Sequence, residues 1–181
     1  VERPYHHGAL RTALLDEAQR ILADDGVEAI TLRELARRAG VSHGAPQRHF
    51  ADRQALLDAL ATRGFTLLTA ALRKAVDGHP PRSRAQLRAA MEAWVRFAAG
   101  NGPLLDLMFR TKQRTPDAAR ELFALTGEFV GDDGEVTPLR LVLASTIEGM
   151  GALVAGGRLP EDRIAETIEC ALDLLEPALT G

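Results

Sequence analysis

Cysteine occurs once in the 181 residues, as Cys170. An internal disulfide is therefore excluded, and the composition suits a reducing cytoplasm. Aromatic residues make up only 4%, so a core has to be built from Leu, Ala, Val and Ile, and richness in Ala and Leu favours helix. No uninterrupted apolar run approaches the roughly 20 residues that span a bilayer. The start has no signal-peptide pattern, although Val1 leaves room for residues trimmed ahead of it. A glycine-rich phosphate loop, a paired metal-ligand motif and a nucleophile elbow are all missing. Two adjacent histidines, His6 and His7, make a poor metal site by themselves. Cys170 has no histidine near it in sequence, and His79 falls in a loop. The residues thus predict no catalytic centre, no metal, no cofactor and no membrane partner.

What is present is ordinary for a globular protein: 46% hydrophobic and 26% charged residues. The formal net charge of -3 argues against a generally basic nucleic-acid binder, but its distribution matters more than its sum. From Arg33 to Arg53 the bases are Arg33, Arg37, Arg38, Arg48 and Arg53, and the acids are Glu34 and Asp52. A locally basic head on an acidic body fits a protein that touches DNA at one end.

That basic stretch also has a legible local architecture. Thr31 is a good N-cap, with Glu34 three residues on, where a capping box wants a carboxylate. Leu32, Leu35, Ala36 and Ala39 mark one helical face, and Gly40 can take the left-handed conformation that ends a helix. Val41 follows as an apolar plug, and Ser42 caps a second helix running to about Phe50. Two short helices around a tight turn are the layout of a helix-turn-helix, whose second helix enters the major groove. In that helix Ser42, His43, Ala45, Gln47 and Arg48 are expected to point outward, and Gly44 lets the backbone approach the duplex.

The segment ITLRELARRAGVSHGAPQRHFADRQALLDAL resembles the N-terminal region of the TetR family of transcriptional regulators. The T-x-x-x-[LI]-A-x-x-A-G-V-S core, the H-F that follows and the A-D-R-x-x-L-L flank carry the resemblance. It implies phosphate contacts from Thr31, His49 and Arg53. Gln47 departs from the tyrosine usual there. A glutamine can pair with the N6/N7 edge of adenine, or it can contact only backbone and water. Arg48 could read guanine or bind phosphate. Further on, WVRFAAGNGPLLDLMF is similar to a segment of one large TetR subgroup.

The rest of the chain reads as helix throughout. A first helix carries Leu14, Leu15, Ala18, Ile21 and Leu22, and ends at Asp24-Asp25-Gly26. A long helix starts at Asp52-Arg53 and runs to Val76. Breaks are expected at 78–83, at Asn101-Gly102-Pro103 and at 131–134. Pro116, Pro138 and Pro160 open later helices. The resemblance implies about nine helices in an all-α fold. A DNA-binding domain at 1–52 would precede a ligand-binding and dimerisation domain at 53–181.

In the body, Met91, Trp94, Phe97, Leu105, Met108, Phe109, Phe123, Leu143, Ile147 and Met150 could line a pocket, although most such residues in a bundle are simply core. Glu148 stands out inside an apolar helix, where it could accept a hydrogen bond from a ligand or lie at a subunit interface. The stripe Ile164, Ile168, Ala171, Leu172 and Leu175, with the helix before it, predicts a four-helix interface with a second copy. The implied function is that of a homodimeric repressor on a palindromic operator in double-stranded DNA. A small apolar or amphipathic effector would release it. A ligand-independent DNA-binding regulator, and a helical enzyme or carrier with a vestigial DNA-binding head, are the alternatives.

Overall fold

The computed structural model describes residues 7–111, 113–131 and 137–180. Every regular element among them is helical. The α-helices are α1 (His7–Asp25), α2 (Leu32–Arg38), α3 (Arg53–Val76), α4 (Arg84–Thr111), α5 (Pro116–Val130), α6 (Pro138–Ala155) and α7 (Glu161–Thr180). Two single 3₁₀ turns stand beside α2, at Val27–Ala29 and Pro46–Arg48. Tyr5-His6 and most of the loop expected at 131–134 lie outside the described residues.

The all-α expectation holds, but the described residues form seven α-helices rather than about nine, for two local reasons. The first lies at Asn101, where a break was expected. There the backbone leaves helical geometry (φ -140°, ψ 32°), so the expected break is present, and α4 is two helical segments meeting at a kink and counted as one element. Pro103 has no N–H to give the preceding turn. The Asn101 Nδ2 donates to the Phe97 carbonyl at 3.1 Å, which supplies a donor to the interrupted ladder. The second lies at the segment after Ser42, which closes only a 3₁₀ turn.

The chain divides into two compact units. The head comprises 1–64 and 103–115, and the body comprises 65–102 and 116–181. In the head, α1 packs on α2 and on the 3₁₀ turn at Val27–Ala29, around Leu14, Ile21, Ile30, Leu35, Phe50 and Leu60, all buried. In the body, α5 packs on α6 and α6 on α7, and the core includes Met91, Ala98, Leu122, Leu143 and Leu172. Gly151 shows how tightly the body helices meet. A Cβ there would come within 3.0 Å of the Trp94 Nε1 and 3.2 Å of the Ala98 Cβ.

α3 and α6 each contain an 18-residue window of mean hydropathy 1.3, long and apolar enough to cross a membrane by length and composition. Neither is an uninterrupted apolar run, since Arg140 and Glu148 interrupt α6 and charged residues flank and interrupt α3. In α3 half of the window is buried, as in a core helix, whereas in α6 only 28% is. The outward side of α6 carries Leu141 and Val142, more than half exposed, with Ser145, Gly149, Ala152 and Leu153. On α7, Leu174 is 75% exposed. The expected interface stripe runs the other way: Ile168, Ala171, Leu172 and Leu175 are buried within the chain.

Candidate nucleic-acid interface

The helix-turn-helix is built from short-range rules. The Thr31 side-chain oxygen accepts from the Glu34 N–H at 3.0 Å. That is half of a capping box. The Glu34 carboxylate does not return to Thr31; it accepts from Arg37 and Arg38. Hydrogen bonds from Arg37 and then Arg38 lower its pKa from the ordinary 4.5 to about 2. Arg38 also pairs with Asp25 at the end of α1. That ion pair joins the two helices.

α2 ends in a Schellman motif. Gly40 has φ +65°, the left-handed region that favours glycine. Val41 N–H donates to the Ala36 carbonyl at 3.1 Å, and Gly40 N–H to Arg37 at 3.4 Å. These are the two bonds that define the motif. They turn the chain sharply into the recognition segment.

That segment is shorter than expected. Ala45 N–H bonds the Ser42 carbonyl, Arg48 N–H bonds Ala45, and His49 N–H bonds Pro46. All are one residue shorter than α-helical bonds. Pro46 cannot donate back to Ser42, so an α-helical ladder cannot include that bond. The helical turn starts at Pro46, not at Ser42, and Phe50 N–H closes it on the Pro46 carbonyl at 2.9 Å. Pro46 and Phe50 are buried and act as pegs.

The pegs leave a defined outer surface. Ser42, His43, Gly44, Gln47 and Arg48 are exposed, and Ala45 and His49 are half-buried. Thr31 is exposed at the start of α2. Hydroxyl, imidazole, amide and guanidinium groups on one short segment can reach both phosphate oxygens and base edges.

Arg53 is placed differently. Its Nε donates to the Ile30 carbonyl and its Nη2 to the Val27 carbonyl, both at 2.7 Å, with Glu28 3.5 Å away. It caps the 3₁₀ turn beneath α2. The Asp52 carboxylate meanwhile caps α3, accepting from Ala55 N–H at 2.7 Å. Sequence reading missed the capping role of Arg53, because its partners lie 23 and 26 residues away.

The residues expected to form a pocket do not fall in one unit. Leu105, Met108 and Phe109 lie in the head unit, and Met91, Trp94, Phe97, Phe123, Leu143, Ile147, Glu148 and Met150 in the body unit. Met91, Trp94, Leu105, Met108, Leu143, Ile147 and Met150 are buried. Phe97, Phe109 and Glu148 are half-buried, and Phe123 is 37% exposed. A half-open groove of about 500 Å³ in the body is lined by other residues, among them Val95, Arg96, Val154, Leu159, Ile164 and Ile168.

Residues 14–60 match the family model described as bacterial regulatory proteins, tetR family. The tetracycline repressor protein class C of Escherichia coli is 44% identical over 57 residues, covering 32% of this chain and 26% of that protein. The HTH-type transcriptional regulator BetI of Rhizobium meliloti (strain 1021) is 27% identical over 166 residues, 90% of this chain and 74% of that one. A solved structure of a protein with unknown function from Rhodococcus sp. RHA1 is 41% identical and superposes with a TM-score of 0.84, covering 99% of this chain and 100% of that one. The chain thus spans about a quarter of the tetracycline repressor that it matches. The capped helices, the left-handed Gly40 and the pegged turn define a helix-turn-helix head on an all-helical chain. Residues 14–60 belong to the TetR family of bacterial regulatory proteins.

Proposed function

We propose that this chain is a cytoplasmic, homodimeric transcription repressor that binds a palindromic operator in double-stranded DNA. The observation that carries the reading is the recognition segment. Ser42, His43, Gln47 and Arg48 are exposed together on a turn held by Gly40, Pro46 and Phe50. Gln47 pairs with an adenine edge and Arg48 with guanine or phosphate, while Thr31, His49 and the backbone at Gly44 and Ala45 approach the phosphates. Arg53 acts chiefly through the elements that it caps.

Dimerisation supplies the second head. The outward face of α6 and α7, with Leu141, Val142, Leu153 and Leu174 exposed, is covered by the same face of a second copy across a two-fold axis. Gly149 has open space at its Cβ position and lets the paired helices approach. Two heads then enter major grooves about one helical turn apart. An apolar or amphipathic effector bound in the body favours a state with the wrong head spacing. The coupling is its difference in affinity between the two states.

Genomic footprinting with the full chain tests the reading. It should give discrete protected sites that share a symmetric sequence. For the effector, Trp94 is the only tryptophan and is buried in the body. A ligand that shifts its fluorescence should also release DNA. If a broad screen shifts neither that fluorescence nor the thermal midpoint, the ligand-independent regulator replaces the effector-gated one.

A further inference from the structure

We infer that Arg11 is an additional phosphate anchor of the head, acting beside the recognition segment. This rests on the DNA-binding reading above. Arg11 lies on α1, one turn ahead of the apolar stripe formed by Leu14, Leu15 and Ala18. By helical spacing it continues that stripe, so it points along the core side of the helix instead of away from it. Its guanidinium carbon sits 5.3 Å from the centroid of the Phe50 ring, within cation–π range.

The charge of Arg11 is held but not neutralised. A phenyl ring carries no net charge, and no acid pairs with Arg11 among the described residues. The acids nearest to it on its own helix are engaged elsewhere: Asp16 with Arg63 and Glu17 with Arg20. Most head arginines are in the opposite position. Arg37, Arg38, Arg53 and Arg63 all face carboxylates. Phe50 comes two residues after Arg48 and is bonded back to Pro46. A second positioned cation therefore stands at the C-terminal end of the turn that carries Gln47 and Arg48. Arg11 is exposed, so its N–H groups are open to a phosphate oxygen, which an arginine binds through its planar fork. It gives affinity without sequence preference.

The test compares the full chain with Arg11→Gln, Arg11→Lys and Arg20→Gln. The probes are a duplex selected by the wild-type chain from a random-sequence pool, and an unselected duplex of the same length. Affinity for each is measured from about 50 to 200 mM salt, with the thermal midpoint as a folding check. Each lost phosphate contact lowers the log–log salt slope by about 0.9, so two copies in a dimer lower it by about 1.8. Over that salt range wild type should lose about twelvefold more affinity than Arg11→Gln, on both duplexes alike. Arg11→Lys should keep the wild-type slope. Arg20→Gln makes the same charge change on the same helix, but at an arginine already paired with Glu17, and should leave the slope unchanged. An Arg11→Gln slope equal to wild type, or an equal drop in Arg20→Gln, overturns the inference while leaving DNA binding intact. If wild type binds neither duplex in a salt-dependent way, the DNA-binding reading falls, and this inference with it.

Discussion

Head and body differ in what they leave on their surfaces. The six large hydrophobic side chains that stay exposed among the described residues are Leu67, Phe123, Leu141, Val142, Leu153 and Leu174, and all belong to the body unit. The head leaves none. Its Arg11, Arg33 and Arg48, like Arg96 and Arg158 of the body, have no acid partner among the described residues, but only the head gathers such arginines beside the recognition segment. The body uses Arg84 and Arg88 to tie α4 to Glu169 and Asp173 of α7. In the head, Arg38, Arg53 and Arg63 bind across sequence gaps of 13 to 47 residues. One unit is finished on its apolar side and open to anions. The other is unfinished on its apolar side. A polyanion suits the first, and a second copy of the chain suits the second.

The largest effect should come from breaking the body's side of this contrast. Leu174→Glu places a charge on the outward face. It should weaken dimerisation by about 3 kcal/mol or more, roughly a hundredfold in dissociation constant, with helix content unchanged. Sedimentation velocity against concentration measures it. Leu172→Glu, two residues earlier but only 1% exposed, should instead unfold the body. If both variants behaved as folded monomers, the assignment of faces on α7 would be wrong.

Next in size is Arg53→Ala. Losing two charge-assisted bonds to the Val27 and Ile30 carbonyls should cost about 2–3 kcal/mol of head stability, read by urea denaturation. Arg53→Lys cannot reproduce the fork and should recover only part of that. A stability equal to wild type, with DNA binding lost, would restore a direct phosphate role and remove the capping one. Gln47→Ala comes third. If Gln47 reads a base, its loss shifts preference at one symmetric position by about 1–3 kcal/mol, measured with duplexes substituted there. Equal losses on every sequence would leave Gln47 as a backbone contact.

The smallest effect is the pH dependence of Glu34. Its folded pKa of about 2 lies below the ordinary 4.5, so its stabilising contribution is complete above about pH 5. That contribution is lost as pH falls through the window between the two values. The pair is exposed, so salt should weaken the effect. Glu34→Gln should flatten the thermal midpoint between pH 5 and pH 2, and more so at low salt. An unchanged profile would mean that the Arg37 and Arg38 bonds do not hold the carboxylate in solution.

How far the fold was legible follows the same division. Thr31, Gly40 and Asp52 were readable because a cap or a left-handed turn is decided within four or five residues. The short recognition turn was less so. Ser42 is a good cap, but Pro46 overrules it by withholding one backbone donor. In the body, apolar spacing on α7 marks a buried face, but the second copy expected to cover it is not what buries it. Leu172 and Leu175 fill their own chain's core, and Leu174 is the apolar side chain that α7 leaves exposed. Gly149 and Gly151 look alike in sequence, yet only Gly151 packs against Trp94 and Ala98. Arg53 and Arg11 were the least legible. Position 11 meets position 50 only after α1 and α2 have folded together, and no local pattern encodes that meeting.

Selection of duplexes from a random-sequence pool by the full chain tests the central claim most directly. The account predicts an enriched inverted repeat whose half-sites lie about 10–10.5 base pairs apart, centre to centre. It also predicts an adenine or guanine at the same place in both half-sites, opposite Gln47 or Arg48. A pool that returns no enriched sequence, or a single asymmetric site bound by one chain, would contradict it.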